Sequence, residues 1–154
     1  MRRAALDQLS FILRANGLHG WRLLRDIRWG APQLQRLDAA PLDREWPAIV
    51  GRSTTPLWAS ASSTERRLTA GKIENLRQAL RRVNGLRIPA GEIFSFWRQI
   101  GRPTARRGFV TGRELREGCL IATIGGGLCQ LSNALYAAAL EAGCIGGSVM
   151  RRAE

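Results

Sequence analysis

Apolar residues recur at three- and four-residue steps in several stretches of the chain, and each such stretch predicts a helix. Leu6, Leu9 and Leu13, then Trp21, Leu24 and Ile27, are spaced for two short amphipathic helices broken at Asn16-Gly17. Ile73, Leu76, Leu80 and Val83 place one stripe on a helix whose wet side carries Arg77, Arg81 and Arg82, and Asn84-Gly85 supplies its stop. Leu128, Leu131, Leu135, Ala138, Ala139 and Ala142 mark the face of a last helix, closed by Gly143.

The intervening segments read as strands and loops. Residues 30–52 are punctuated by Pro32, Pro41 and Pro47 and predict a connecting stretch over the surface. Leu57 to Ser62 alternates loosely, as a strand would. Leu86 to Trp97 predicts a hairpin: a short strand, a turn at Pro89-Ala90-Gly91-Glu92, and an aromatic strand with Phe94 and Phe96 on one face. In that turn Glu92 reads as a structural carboxylate. A strand is expected within Gly108 to Gly112, and the compact run Cys119 to Ile124 suits a buried strand that ends at Gly125-Gly126-Gly127. The fold class that follows is α+β, with N-terminal helices followed by a small mixed or antiparallel sheet packed with two helices.

Composition changes this picture little: 154 residues, 45% apolar and 23% charged, are ordinary for one globular domain. No window approaches ~18 consecutive apolar residues, so no membrane-spanning helix is expected. Charge changes it more. The formal net charge is +12, and every basic residue but Lys72 is arginine. Such a surface attracts anionic headgroups, acidic wall polymers or nucleic acid. The arginines are scattered from Arg2 to Arg152 rather than gathered on one element with aromatic partners, which argues against nucleic acid. The apolar stretch after Met1-Arg2-Arg3 is cut by Asp7 and Arg14, so no secretory signal is expected and the location is read as cytoplasmic or peripheral to the membrane.

Cys119, Cys129 and Cys144 are odd in number and contain no C-x-x-C, so neither a disulfide framework nor a zinc site is expected, and no cofactor or metal is called for. His19 is the only histidine and reads as structural. Cys119, opening a buried run, and Cys144, past a helix end, read as packing residues.

The run Ile124-Gly125-Gly126-Gly127-Leu128-Cys129-Gln130-Leu131-Ser132-Asn133 places a thiol in the first turn of a helix. There the unpaired N–H groups and the positive end of the helix dipole favour an anion, which biases Cys129 toward thiolate. The three glycines remove side chains and leave N–H groups for an oxyanion hole, with Gln130 as a further donor. The alternative stays open: Cys129 as a small buried hydrophobe after a tight glycine turn. Phosphate binding is poorly supported, since the run lacks both the G-K-[ST] ending and the G-x-G-x-x-G spacing.

The segment Ile88-Pro89-Ala90-Gly91-Glu92-Ile93-Phe94-Ser95-Phe96, then Ile100-Gly101-Arg102-Pro103-Thr104 and Arg107-Gly108-Phe109, then Gly125 through Tyr136, resembles the VanW family in order and spacing. Lys72-Ile73-Glu74-Asn75-Leu76 resembles the helix that precedes them there. The resemblance runs from about Thr54 to Gly143. It divides the chain into a helical lead-in and linker (1–53), a VanW-like domain (54–145) and an unstructured tail (146–154). It implies a bacterial cell-envelope protein associated with glycopeptide (vancomycin) resistance. In larger relatives it implies a cysteine-dependent L,D-transpeptidase that cross-links peptidoglycan stem peptides through a thioester. On that implication Cys129 is the acyl acceptor assisted by Gln130, while Gly125, Gly126, Gly127, Ser132 and Asn133 line the substrate, a peptidoglycan peptide or precursor. The alternative is a non-catalytic module for anionic wall precursors or a membrane surface. The family pattern continues into a His-bearing segment, and no His follows Cys129 here, so a C-terminal truncation is expected.

Overall fold

A computed structural model describes residues 17–18, 20–22, 24–37, 48–58, 62–116 and 118–144. The expected helix at Leu6 to Leu13, the structural role of His19 and the tail at 146–154 lie outside them. The chain divides into two compact units, Met1–Gln35 with Arg87–Arg102, and Arg36–Leu86 with Pro103–Glu154. Helices accompany a two-stranded antiparallel sheet, so the α+β expectation holds.

In the first unit residues 24–28 are helical, but the Trp21, Leu24 and Ile27 stripe faces solvent, and the buried residue is Asp26. Asp26 is held because its carboxylate accepts a 2.7 Å hydrogen bond from the Ser95 hydroxyl. The same Ser95 oxygen caps helix α2 (Phe96–Ile100) by accepting from the Arg98 N–H. The expected aromatic strand is therefore a helix. Phe96 and Ile100, four residues apart, bury one face, which a strand reading of Phe94-Ser95-Phe96 places differently. The turn before it is as expected: the Glu92 N–H donates to Pro89 O, with Gly91 at φ 82°. Buried Gln99 completes this unit, donating to Pro32 O and accepting from Gln33 Nε2 and Leu34 N.

The second unit is built on α1 (Ser63–Val83), whose N-cap Ser62 accepts from the Glu65 N–H. It ends at Asn84, and Gly85 takes the left-handed conformation expected of a stop. The predicted stripe is rotated, however. Thr69, Asn75, Leu76 and Ala79 are buried, Ile73 and Val83 are half-buried, and Leu80 is exposed. Arg82 is not on a wet face either: its guanidinium lies 5.5 Å from the Phe109 ring and donates to Arg107 O. Residues 57 and 58 are not in a strand, and Ala59, Ser60 and Ala61 lie outside the described residues.

Strand β1 (Thr111–Arg116) begins later than expected, because Ala105–Arg107 forms a 3-10 turn closed by left-handed Gly108. It pairs with β2 (Cys119–Ile124) in the register Thr111↔Ile124 through Arg116↔Cys119. The run expected to be buried is not: Cys119, Leu120, Ala122 and Ile124 are exposed, and only Ile121 and Thr123 are half-buried. A two-stranded ribbon has one inner face, and alternate residues of β2 take the other. Helix α3 (Leu128–Glu141) follows, burying Leu128 and Leu131 beside Leu76, Ala79 and Phe109 in the apolar core of this unit.

Asn75 joins three elements. Its side-chain amide donates to Val110 O at 2.9 Å and Gly126 O at 3.0 Å, and its carbonyl accepts from Val110 N at 2.8 Å. It is fully buried, so losing it removes the partner of the Val110 N–H and of the buried Gly126 carbonyl, while Val110 O keeps the Gly125 N–H. Asn75→Ala is expected to lower unfolding stability by about 2 kcal/mol. A urea midpoint that stays with the parent at unchanged slope would show that these bonds contribute nothing net.

Candidate functional site

The site grows out of the turn between β2 and α3. The Gly125 N–H donates to Val110 O and the Gly126 N–H to Thr123 O, so two of the three glycine donors expected for an oxyanion hole are spent in the turn. Gly127, at φ 98°, is the N-cap of α3 and offers no capping side chain. Neither the Gly127 nor the Cys129 N–H makes a hydrogen bond to another described residue. The first turn of α3 thus keeps donors free beside the thiol.

Cys129 is exposed, which removes the reading of it as a buried hydrophobe. Cys119 and Cys144 are exposed as well, contrary to the packing roles expected of them. Cys129 opens into a cleft of about 400 Å³ lined by Ser53, Thr55, Cys129, Gln130, Asn133, Ala134 and Ala137. The Gln130 amide carries an acceptor as well as the anticipated donor, and its buried Oε1 has no hydrogen-bond partner among the described residues. Of the anticipated residues, Cys129, Gln130 and Asn133 line the cleft together. Gly125, Gly126 and Gly127 form the turn at the start of α3, and half-buried Ser132 is not part of the lining.

The opposite wall comes from residues that pattern alone did not single out. The segment at Ser53 and Thr55 lies along α3 because Gly51 packs against Ala138 O and the Arg52 N–H donates to the Glu141 carboxylate at 2.7 Å. Lys72, on α1, lies across Gly127. Its ammonium loses its proton more readily than an ordinary lysine, first through burial and then through nearby Arg113, while Cys129 acts in the opposite sense.

Residues 71–151 match the protein family described as VanW like protein. The chain belongs to the VanW family. It is 40% identical over 65 residues to the Vancomycin B-type resistance protein VanW of Enterococcus faecalis (strain ATCC 700802 / V583). That match covers 42% of this chain and 24% of the relative, so the chain aligns with about a quarter of that VanW protein. No solved structure matches the chain. The VanW match takes in Lys72, Asn75, the glycine turn and Cys129. Among the described residues no helix is long and apolar enough to cross a membrane.

Proposed function

We propose that this VanW domain is a cysteine acyl transferase of the L,D-transpeptidase type, acting on peptidoglycan stem peptides in a glycopeptide-resistance setting. The observation that carries the reading is the exposed Cys129 thiol in the uncapped first turn of α3, at the wall of a cleft. Its sulfur adds to a peptide carbonyl, and the carbonyl π pair moves to oxygen as an oxyanion. The Gly127 and Cys129 N–H groups, which have no partner among the described residues, would be the donors for that charge. Collapse breaks the C–N bond, the departing amine gains a proton, and a thioester remains. An acceptor amine then attacks the thioester, losing a proton as the C–S bond breaks and the thiolate returns. The resistance setting is supported by the name of the Enterococcus relative.

Incubation with a stem tetrapeptide is expected to add an acyl mass to the peptide containing Cys129, removable by hydroxylamine. Adducts spread over Cys119, Cys129 and Cys144 alike, or none at all, would contradict the reading.

A second reading makes the domain a non-catalytic binder of anionic wall precursors or membrane headgroups. It is supported by the +12 charge and by exposed Trp21 and Trp29, each about 5.2 Å from the Arg25 guanidinium. On that reading, sedimentation with phosphatidylglycerol vesicles weakens steeply with added salt and is indifferent to Cys129→Ser. Salt-independent sedimentation would remove it.

A further inference from the structure

We propose that Lys72 is the charge partner of Cys129, its ammonium facing the thiolate and passing its proton to the departing amine. The proposal rests on the acyl-transfer reading.

The argument begins with packing. Gly127 has no side chain, and the Lys72 stem fills that space. A Cβ at Gly127 would overlap Lys72 Cγ and stand 3.1 Å from both Lys72 Cβ and Cδ. Gly127 caps α3 and Cys129 is two residues further on, so the lysine stem crosses the cap of the helix that carries the thiol. The root of Lys72 is fixed too: the space beside its backbone nitrogen is closed by Gly112, whose missing Cβ would lie 2.8 Å away.

Charge gives the second step. Lys72 stands at the positive end of α3, near Arg113, and no carboxylate among the described residues forms an ion pair with it. Two cations and a helix N-terminus repel one another unless an anion joins them. Arg113 on β1 and Cys129 on α3 are the ionisable groups that act on the Lys72 ammonium, the first against its charge and the second in favour of it.

Residue type gives the third. Every other basic residue of the chain is arginine, which holds its proton throughout and can serve only as a fixed charge. Lysine can release a proton, and burial beside Arg113 eases that release. The cycle then balances. With Cys129 as thiolate and Lys72 as ammonium, the C–S bond forms, the C–N bond breaks, and the leaving nitrogen takes a proton from Lys72 Nζ. The neutral Nζ removes a proton from the acceptor amine as that amine displaces sulfur, restoring both groups.

The test uses Lys72→Met and Lys72→Arg in a Cys119→Ser, Cys144→Ser background, where iodoacetamide reads Cys129 alone. The methionine variant is expected to be alkylated about tenfold more slowly at pH 7. The arginine variant is expected to regain alkylation but not peptide exchange, which needs the transferable proton. Because Lys72 is the only lysine, its ε-carbon NMR signal titrates as a single resonance in the intact chain. Cys129→Ser is expected to move that titration to lower pH. Should Lys72→Met fail to fold, this comparison still decides.

An unchanged lysine titration in Cys129→Ser overturns the proposal, as does alkylation of a folded Lys72→Met within twofold of the parent. Thioester formation at the parent rate in Lys72→Met overturns the Lys72 role while leaving the acyl-transfer reading intact. Alkylation that follows Lys72 with no thioester from any peptide leaves the ion pair standing and removes the transferase.

Discussion

Gly126→Ala is expected to lower the stability of the domain by about 3 kcal/mol or more, enough to unfold a marginal chain at ordinary temperature. The methyl would overlap Gly112 O, with the Gly112 carbonyl carbon and the Arg113 carbonyl carbon also within van der Waals distance. The opposing atoms are backbone, so no side chain can rotate away. Gly126 O is also held by Asn75 Nδ2 at 3.0 Å, which resists retreat of the turn. The glycines face each other from both sides, since a Cβ on Gly112 would lie 2.7 Å from Gly126 O. Alanine at Gly20, where a Cβ meets nothing within 4 Å, is the control and should change stability little. Circular dichroism of the two variants under urea reads the difference, and a Gly126→Ala midpoint equal to that of Gly20→Ala would refute the close approach.

Cys129→Ser should abolish peptide exchange, by on the order of 10³-fold or more, while leaving the unfolding midpoint near that of the parent. The substitution is nearly isosteric at an exposed position, so packing is undisturbed. A hydroxyl there needs a base to ionise it, and among the described residues no histidine is available to the cleft. Cys119→Ser and Cys144→Ser should retain exchange, since neither residue lines the cleft. Exchange of labelled terminal D-amino acid, followed by mass spectrometry, measures all three. Equal retention in the three variants would remove Cys129 from the chemistry.

Much of this architecture is legible in the residues before any coordinates. The two long helices declare themselves by period and by Asn84-Gly85 and Gly143. The glycine turn that sets Cys129 in the first turn of α3 follows from the same reasoning. What escapes is what depends on partners far along the chain. Ser95 reads as part of an alternating strand until its hydroxyl is seen to cap α2 and reach Asp26, 69 residues earlier. Cys119 to Ile124 reads as buried because its apolar run is continuous, whereas the ribbon exposes alternate residues. The rotated stripe of α1 has a similar cause: Asn75 takes a buried position that hydrophobicity assigns elsewhere, and three backbone bonds across the fold make it stable there.

The candidate site divides along the same line. Cys129, Gln130 and Asn133 share one helix and so are found by local reasoning, whereas Ser53 and Thr55 reach the cleft from a segment about 75 residues earlier. Lys72 carries one signal in the sequence, its solitude among arginines, and that signal gains meaning only when its stem is seen over Gly127. Asn75 had a signal too, a polar residue inside an apolar stripe, and it supports the turn rather than the chemistry.

The relative alkylation rates of the three exposed thiols within one folded chain test the central claim most directly, since all three meet the same reagent and solvent. On the proposed pairing the helix terminus and Lys72 favour attack by Cys129, so its modification at pH 7 should run about tenfold or more ahead of Cys119 and Cys144. Three equal, slow rates would contradict the account and leave this VanW domain without a nucleophile.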